Sequence, residues 1–374
     1  MTQHDYNLYG LYLNGFWYNR EDLLKKCHET KANLQSPDWE LSITKFIIEW
    51  YNENDFFEVQ TSGSTGLSQL LRIKKEFAIN SALSTLDFLE LKPGNTALLC
   101  LPVSYIAGKM MIIRSIMGRL RLTSVEPKGN VSDDISENTD FAAMIPLQVQ
   151  NLLEGPGGIS KINQIRKLII GGASIPPALE ENLRNQHHPV YSTYGMTETV
   201  SHIAMRRIDG AGYSKNYKLL PNISISQDEH DCLIVNAPFL SEQIVHTRDV
   251  VRILQNYEFE VLGRLDNMII SGGIKYFPEI LEKKLAGCFS DRFIISSKPD
   301  PKLGEKIILI IETQQPEKYP AHLVKNMLNG KLTAFEFPRE IFFLKKFPET
   351  GTSKLARKQI TQEAINRQLY RDSV

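Results

Sequence analysis

The sequence predicts an α/β protein with a large layered domain, a small β subdomain and a compact α+β unit after it. Three observations support this prediction. Apolar runs of strand length alternate with segments of helix length in the first half of the chain. Residues 216–262 hold short alternating segments, which are typical of β structure. The 374 residues also exceed the size at which one hydrophobic core stops growing, so two domains are expected.

Predicted helices and strands alternate through residues 7–191. The pair Asn14-Gly15 predicts a hairpin turn. Helices are predicted at residues 21–31, 38–51, 75–90 and 178–185. Strands are predicted at residues 56–60, 97–101, 141–145, 167–170 and 189–191. The weakly charged stretch 97–113 contains Gly108 and Lys109, so we predict a buried strand and a loop rather than a membrane-spanning helix.

The second half of the chain begins with a polar turn, predicted at residues 192–199. Strands of the β subdomain are predicted at residues 223–226, 232–235 and 257–262. The α+β unit is predicted to hold a strand and turn at 269–273, a helix at 278–286, and strands at 293–296, 307–312 and 341–344. About 100 residues suffice for one compact unit.

The charge balance excludes some classes of partner. The 43 basic residues are matched by 43 acidic ones, which argues against a broad grip on nucleic acid or on an anionic membrane. A local basic patch is still compatible with this balance. Hydrophobic residues make up 42% of the chain and charged residues 23%, a composition typical of an ordinary globular protein.

The cysteines and the first residues bear on the compartment. Four cysteines lie far apart, without zinc or redox spacing: Cys27, Cys100, Cys232 and Cys288. We therefore predict buried free thiols in a reducing environment. Residues 1–9 are polar and acidic and lack the pattern of a signal peptide. Both observations favour a cytoplasmic protein.

A hexamer of small residues follows the strand predicted at 56–60. Its members are Thr61, Ser62, Gly63, Ser64, Thr65 and Gly66. Glycines let backbone N–H groups converge, and the hydroxyls add uncharged donors, so the run is suited to holding an anion. It is not a Walker A loop, because no Gly-Lys-Ser/Thr closes it. A flexible surface loop is the alternative, and the position directly after a strand favours phosphate.

Three further clusters carry polar chemistry. Residues 191–199 (YSTYGMTET) combine an aromatic ring that can stack on a base, a hydroxyl for phosphate and a carboxylate for Mg²⁺. In the segments 247–249 (TRD) and 263–266 (GRLD), an acidic side chain can accept bonds from both ribose hydroxyls. Residues 348–357 (PETGTSKLAR) lead flexibly into one lysine.

With these four motifs in order, the chain resembles the adenylate-forming (ANL) superfamily of acyl-CoA ligases, adenylation domains and luciferases. The resemblance spans residues 61–357. Three segments are most similar to the o-succinylbenzoate–CoA ligase family of menaquinone biosynthesis: STYGMTETVSHI, KLIIGGASIPP and LPVSYIAGKM. The resemblance implies the ANL fold, with an ATP- and acid-binding domain at residues 1–265 and a mobile C-terminal lid at 266–374.

The resemblance also implies a reaction in two steps that uses ATP, Mg²⁺ and CoA. A carboxylate and ATP give an acyl-adenylate and pyrophosphate, and the CoA thiol then displaces AMP. The implied catalytic residues are Lys354, Thr197 and Glu198, with Glu198 also binding the metal. The implied ATP-binding residues are the hexamer together with Gly171, Gly172, Ala173, Tyr194, Gly195, Asp249 and Arg264. Asp266 matches the hinge position, and Gly272 and Gly273 match the segment that serves thioester formation.

Candidates for the acid pocket are Tyr105, Gly108, Pro146, Gly171, Ser201 and His202. Ser201 and His202 suit a second carboxylate on the acid, but His202 is equally suited to a structural role. Lys109 and Arg114 are further cationic candidates.

For Arg206 and Arg207 a solvated basic pair is favoured over contacts with CoA phosphates. The pair His187-His188 lacks companion ligands, so no metal is assigned to it.

Four positions depart from the family pattern. Gln69 stands where the phosphate loop usually has a lysine, for which Arg72 or Lys74 are possible substitutes. Tyr105 replaces a histidine near the acid pocket, and Arg248 and Ser353 replace glycines before Asp249 and Lys354. The chain is short for the family, and we expect a compact active ligase rather than a fragment. Two alternatives stay open: a ligase for another aryl or acyl acid that delivers to CoA or a carrier protein, and a non-catalytic nucleotide-binding relative.

Overall fold

The computed structural model describes residues 9–60, 70–349, 355–367 and 372–373. The chain divides into two compact units. Unit 1 comprises residues 1–225, 235–245 and 255–258, and unit 2 comprises residues 226–234, 246–254 and 259–374. The boundary predicted after residue 265 stays a prediction.

Unit 1 is built from alternating helices and strands. Its helices are α1 (Arg20–Ala32), α2 (Asp38–Trp50), α3 (Lys75–Phe88), α4 (Ile106–Gly118), α5 (Pro146–Glu154), α6 (Gly158–Ile162) and α7 (Pro177–Leu183). Its strands are β1 (Leu11–Leu13), β2 (Phe16–Tyr18), β3 (Phe56–Gln60), β4 (Leu70–Lys74), β5 (Thr96–Leu99), β6 (Arg121–Ser124), β7 (Phe141–Met144), β8 (Leu168–Ile170), β9 (Val190–Gly195), β10 (His202–Arg207) and β11 (Tyr217–Leu219).

The main sheet of unit 1 runs in the order β11-β10-β9-β8-β7-β5-β6-β1-β2. Its central strands β9, β8, β7, β5 and β6 are parallel, and β1 joins β6 in parallel. The carboxyl ends of these parallel strands therefore meet at one edge, where α/β proteins bind ligands. β3 and β4 form a separate antiparallel hairpin whose strands flank the hexamer.

The core of unit 1 lies under the parallel strands. Strands β7 and β8 are buried along their whole length, as expected for strands covered on both faces. Their side chains pack with α5, α6 and α7 around Val149, Leu152, Ile162, Leu179 and Leu183. This packing fixes the loops that leave the carboxyl edge of the sheet.

Four strands contain residues of both units: β12 (Ser224–Gln227), β13 (Cys232–Asn236), β14 (Val245–Ile253) and β15 (Glu258–Arg264). Unit 2 then continues with β16 (Ile269–Ser271), β17 (Ile274–Tyr276), α8 (Pro278–Lys284), β18 (Phe293–Asp300), β19 (Gly304–Glu312), α9 (Ala321–Leu328), β20 (Glu340–Leu344), α10 (Arg357–Arg367) and β21 (Asp372–Ser373). Its second sheet runs β17-β16-β19-β20-β21, and β18 also pairs with β19.

The second sheet of unit 2 is buried on both faces. Because side chains alternate along a strand, Ile308 and Ile310 of β19 face α10, whereas Leu309 and Ile311 face α8 and α9. The first face packs with Ile360 and Ala364, and the second with residues such as Leu281 and Val324. The predicted α+β character of this unit is confirmed.

Two predicted elements are wrong in part. Residues 106–118 form the buried helix α4, where the sequence predicted a loop. The prediction failed because both faces of this helix are covered, so its sequence shows no amphipathic pattern. Residues 192–195 belong to β9, not to a turn, because β10 pairs with all four of them and β8 pairs with Ser192. The remaining predicted helices and strands are present, shifted by a few residues at their ends.

The predicted free thiols are confirmed, and their burial is confirmed for three of the four. All four thiols are free, and Cys27, Cys100 and Cys232 are buried while Cys288 is partly exposed. Burial raises the pKa of the Cys27 thiol to about 11 and that of Cys100 to about 12, so both stay protonated at neutral pH. Among the described residues, no helix is long and apolar enough to cross a bilayer.

Candidate active site

The carboxyl edge of the parallel sheet gathers several predicted site residues of unit 1. Gly171, Gly172 and Ala173 follow β8 directly. Pro146 is the first residue of α5 and is separated from the end of β7 by one residue. The Gly171 N–H donates to the Met144 carbonyl at 3.1 Å, so the two loops are joined directly. The sequence predicted these residues from motifs, and the parallel register brings them to one edge.

β9 carries the second motif to the same edge. The ring of Tyr194 lies 5.6 Å from that of Tyr217 and stays half-buried, which leaves an aromatic surface for stacking. Thr197 and Glu198 follow in a short 3₁₀ turn, and the Glu198 carboxylate is exposed. Neither side chain makes a hydrogen bond or ion pair with the described part of the chain. No described residue therefore blocks either side chain from a ligand.

The backbone around this turn is tightly constrained. A Cβ at Gly195 would lie 2.3 Å from the Ser201 carbonyl oxygen. Only glycine therefore permits this close approach of two backbone segments. Val200 has φ 64°, a conformation that a β-branched residue adopts only under strain. Such strain concentrates at functional sites, where the surrounding structure holds it. The turn between β9 and β10 is thus tightly packed and has a strained backbone.

The candidates for the acid pocket lie on α4, α5 and β10. Tyr105 precedes α4 and is 36% exposed, whereas Gly108 is buried within its first turn. A Cβ at Gly108 would lie 2.4 Å from the Pro102 carbonyl oxygen, so this glycine permits the close approach of the preceding loop. Ser201 is half-buried and His202, 5% exposed, begins β10.

Arg114 is the most unusual charge in unit 1. It lies in the middle of α4 and is only 2% exposed. Its Nη2 donates to the Ser201 hydroxyl at 2.9 Å, while its buried Nε has no partner. No carboxylate pairs with it among the described residues. Burial lowers the pKa of the guanidinium to about 9, so Arg114 still carries its charge at neutral pH.

His202 is buried beside this arginine. Its Nδ1 lies 3.3 Å from the Ser201 hydroxyl, and its Nε2 lies 3.0 Å from the Thr85 hydroxyl. Burial and, next, the charge of Arg114 hold the pKa of His202 well below its usual range, so the ring is neutral. Both ring nitrogens thus have partners within the protein, which favours the structural alternative for His202.

The other basic candidates of unit 1 have acidic partners. Lys109 is buried at 3.4 Å from Glu49 and 4.3 Å from the centre of the Phe46 ring. Arg206 is buried and donates two hydrogen bonds to the Glu180 carboxylate, one of them 2.8 Å long. Arg207 binds Asp209 at 2.8 Å. The prediction of a solvated pair at 206–207 is therefore wrong for Arg206, since Glu180 draws it into the core.

The proposed substitutes for the missing loop lysine also have partners. Arg72 pairs with Glu58 at 3.3 Å, and Lys74 pairs with Glu242. Both pairs are exposed to solvent, so they contribute little to stability and are readily exchanged for a ligand. The hexamer 61–66 and Gln69 lie outside the described residues.

In unit 2 the third motif forms a cluster of four charges. Asp249 on β14 lies opposite Arg264 on β15, and Arg264 donates to it at 2.9 Å. Asp266 follows β15 and accepts from Arg248 at 2.7 Å and from Arg264 at 3.3 Å. Burial raises the pKa of Asp266, but the bonds from these arginines outweigh burial and hold it below its usual range. Arg248, which departs from the family pattern, thus contacts the predicted hinge residue.

The remaining motifs of unit 2 sit in turns. Gly272 and Gly273, with φ 59° and 81°, connect β16 to β17. Lys354 and Ser353 lie outside the described residues, but the positions on either side of them are held in place. Glu349 and Leu355 form an antiparallel bridge, and the Arg357 Nη1 donates to Glu282 at 2.8 Å.

The chain is similar to known proteins over most of its length. Residues 22–229 match the family described as AMP-binding enzyme. The 2-succinylbenzoate–CoA ligase of Haemophilus influenzae is 25% identical over 372 residues, covering 92% of this chain and 79% of the relative. An acyl-CoA synthetase (AMP-forming)/AMP-acid ligase II-like protein from Dyadobacter fermentans has a crystal structure that is 33% identical, with a TM-score of 0.61, covering 90% of this chain and 97% of that one.

A third similarity is to o-succinylbenzoate coenzyme A synthetase (MenE) of Bacillus subtilis in complex with ATP and magnesium. It is 22% identical, with a TM-score of 0.68, covering 81% of this chain and 69% of that one. The chain belongs to the AMP-binding enzyme family, since the family match covers more than half of it. The predicted superfamily and the predicted ANL fold are confirmed. The roles of individual residues stay predictions.

Proposed function

We propose that this chain is an AMP-forming ligase that converts 2-succinylbenzoate, ATP and CoA into 2-succinylbenzoyl-CoA, AMP and pyrophosphate. One observation carries the choice of acid: Arg114 is a buried cation beside Ser201 with no acidic partner among the described residues. A buried charge is costly unless it is paired. An acid with a second carboxylate supplies the missing partner, and the relatives named 2-succinylbenzoate–CoA ligase act on such an acid.

In the first half-reaction, the succinyl carboxylate attacks the α-phosphorus of ATP and pyrophosphate leaves. The hexamer 61–66 holds the β- and γ-phosphates, Thr197 contacts the α-phosphate and Tyr194 stacks on adenine beside residues 171–173. Asp249 accepts bonds from the ribose hydroxyls, with Arg264 close by. The protein's task is alignment and charge neutralisation, since the acid itself is the nucleophile.

Glu198 is the residue that holds Mg²⁺ in this proposal. Its carboxylate is exposed and unpaired within the described part of the chain, which fits a metal that binds through one or two carboxylates, phosphates and water. The bound ion neutralises phosphate charge. The hydroxyl of Thr197, one residue before Glu198, has no partner among the described residues, and in this proposal it contacts the α-phosphate.

Lys354 bridges the reacting carboxylate and the α-phosphate, where negative charge accumulates in the transition state. In the second half-reaction the CoA thiolate attacks the acyl carbonyl and AMP leaves. We propose that residues 266–374 rotate about Asp266 between the two steps, so that Lys354 serves the first and the segment at Gly272-Gly273 serves the second. The bound acid lies against Tyr105, Gly108, Pro146 and Ser201.

The proposed partners are small molecules: the acid, ATP and CoA. We propose a cytoplasmic location, where these substrates occur and where four free thiols stay reduced. The balanced charge fits a protein that handles a polyanion with a few local residues rather than with a basic surface.

A direct assay tests the proposal. The protein is incubated with ATP, Mg²⁺ and CoA and with one acid at a time: 2-succinylbenzoate, 4-phenyl-4-oxobutanoate, benzoate, malonate and a fatty acid. AMP and thioester are both measured. 4-Phenyl-4-oxobutanoate is the matched control, because it lacks only the ring carboxylate.

We expect turnover with 2-succinylbenzoate and at least tenfold lower kcat/KM without the ring carboxylate, as for loss of one hydrogen bond to a charged group. Equal turnover of the two acids would contradict the role of Arg114. Preference for another acid would overturn the substrate, and ATP binding without AMP formation from any acid would overturn the activity.

A further inference from the structure

Four polar side chains of unit 1 form one hydrogen-bonded row. It runs from Arg114 on α4 through Ser201 and His202 to Thr85 on α3. Thr85 is fully buried, and Arg114 and His202 are 2% and 5% exposed. Because these groups exchange few bonds with water, each proton in the row has a determined place.

The direction of each hydrogen bond in the row follows from the bonds of Thr85. Its hydroxyl proton is donated to the Ser81 carbonyl oxygen at 2.9 Å, so the same oxygen can only accept from the ring of His202. The His202 Nε2 must therefore carry a hydrogen. Because burial and Arg114 keep this ring neutral, its Nδ1 carries none and is an acceptor.

The direction of the next bond is then determined as well. Nδ1 of His202 accepts the proton of the Ser201 hydroxyl, whose oxygen accepts from Nη2 of Arg114. Ser201 has a single proton, and this bond uses it. Ser201 cannot donate to a bound carboxylate while the row is intact, and Arg114 is left as the donor.

We propose that His202 is a positioning residue, which fixes the Ser201 hydroxyl as an acceptor and thereby orients the Arg114 guanidinium for the second carboxylate of the acid. The role of Arg114 toward the acid rests on the proposed function; the order of protons in the row does not. In this arrangement neither Ser201 nor His202 contacts the carboxylate as a donor. The row replaces the sequence-based hypothesis that these two residues bind it themselves.

Two substitutions of one residue separate positioning from mere packing. In His202→Asn the amide oxygen takes the place of Nδ1 and still accepts from Ser201, but the bond to Thr85 is lost. In His202→Gln the amide nitrogen takes the place of Nε2 and still donates to Thr85, but the acceptor for Ser201 is lost. Each variant keeps one bond of the ring and removes the other, so a packing role predicts the same effect for both.

The readout is the KM for 2-succinylbenzoate beside the KM for ATP. We expect His202→Gln to raise the KM for the acid about tenfold, the usual effect on binding of losing one well-directed hydrogen bond. The KM for ATP should stay within twofold of the wild-type value. His202→Asn should raise the KM for the acid no more than about threefold. Equal increases in both variants, or a matching increase in the KM for ATP, would overturn the proposal. If His202→Gln does not fold, Ser201→Ala takes its place, because loss of the hydroxyl removes the acceptor for Nη2 of Arg114. It should raise the KM for the acid about tenfold with the KM for ATP within twofold, and an unchanged KM for the acid would overturn the proposal.

A measurement without substrate tests the row itself. In ¹⁵N-histidine-labelled wild-type protein, two-bond ¹H–¹⁵N correlations distinguish the Nε2–H ring, the Nδ1–H ring and the protonated ring, and the His202→Asn spectrum identifies the signal. We expect the Nε2–H form at pH 7. An Nδ1–H or protonated ring would overturn the inference even in an active enzyme, whereas the Nε2–H form in a protein inactive on 2-succinylbenzoate would leave the row intact and refute only the proposed substrate.

Discussion

Arg114 illustrates what a sequence shows about a single residue and what it does not. The stretch MMIIRSIM contains one arginine among apolar residues, and such a charge signals either a pair or a ligand. Sequence reasoning ranked it below Ser201 and His202. The reason is that its partners are distant in the chain: Ser201 is 87 residues away, and Thr85 lies 117 residues from His202.

Replacing Arg114 by methionine should improve stability while impairing acid binding. An isolated buried cation is destabilising relative to an apolar side chain of similar size, so we expect the free energy of unfolding to rise by about 1–3 kcal/mol. Loss of a hydrogen bond to the acid's charge should raise the KM for 2-succinylbenzoate about 10- to 100-fold. Thermal unfolding and steady-state kinetics measure the two effects.

The matched control for that prediction is Arg121→Met. Arg121 is exposed on β6, so the same substitution should change neither quantity appreciably. A fall in the stability of Arg114→Met together with an unchanged KM for the acid would show that the arginine is a structural group.

Among the helices and strands, prediction succeeded where local pattern and tertiary packing agree. The strands β7 and β8 are continuous apolar runs and were predicted within a residue or two. Helix α4 was missed because it is buried on all sides and carries Gly108 and Lys109 in its first turn. Strand β10 was missed as well: its register with β9 depends on pairing, and its sequence HIAMRR shows no alternation.

One acid-sensitive charge cluster joins β18, β19 and β20. Glu340 is 8% exposed and lies 2.6 Å from both Lys298 and Lys306. Burial raises the pKa of Glu340, but the two lysines outweigh burial and lower it to about 2. A folded-state pKa below the unfolded value contributes stability above the unfolded pKa, and this stability is lost as the pH falls toward the folded value.

We therefore expect Glu340 to contribute about 3 kcal/mol to the free energy of unfolding near neutral pH, at about 1.4 kcal/mol per pKa unit. The contribution should fall away between pH 4.5, the ordinary value, and about pH 2. Urea unfolding of wild type and Glu340→Gln across this range measures it. The two proteins should differ at pH 6 and converge at low pH.

The control for the acid effect is Glu317→Gln, the same substitution at an exposed position. It should follow the wild-type curve at every pH. A constant difference between Glu340→Gln and wild type, independent of pH, would mean that the loss comes from packing and not from the ionised carboxylate.

For the molecule as a whole, the sequence predicted the superfamily from four ordered motifs and the fold from that resemblance. Composition and length indicated two domains but gave no position for their boundary. Between residues 226 and 258 the chain passes from one unit to the other more than once. No pattern of hydrophobicity in the sequence reveals such an interleaved boundary. Motif order was therefore more informative than periodicity.

The proposed rotation of residues 266–374 makes a prediction about the two half-reactions. Lys354→Ala should lower the rate of acyl-adenylate formation by about 10²- to 10³-fold, the usual cost of losing one group that stabilises transition-state charge. Thioester formation from supplied acyl-adenylate and CoA should be nearly unaffected. Single-turnover measurement of each step provides the comparison.

The outcome that contradicts this scheme is an equal loss in both half-reactions. Such a result would mean that Lys354 serves one fixed site, without the exchange of segments about Asp266. Lys358→Ala, four residues further along on α10 and exposed, is the control and should leave both rates unchanged.

The parallel pairing of β1 with β6 has a consequence for biosynthesis. Tyr12 and Leu13 pair with Arg121 and Leu122, and Asn14 bonds to Ser124 across 110 residues of chain. At about 5–20 residues per second, a ribosome needs roughly 5–20 s between making the two strands. During that interval the hairpin of β1 and β2, with Phe16 and Trp17 exposed even in the finished fold, has no sheet to join. Until β6 emerges, the edge of β1 opposite β2 therefore lacks its partner, and an open strand edge beside exposed aromatic rings favours pairing with other chains.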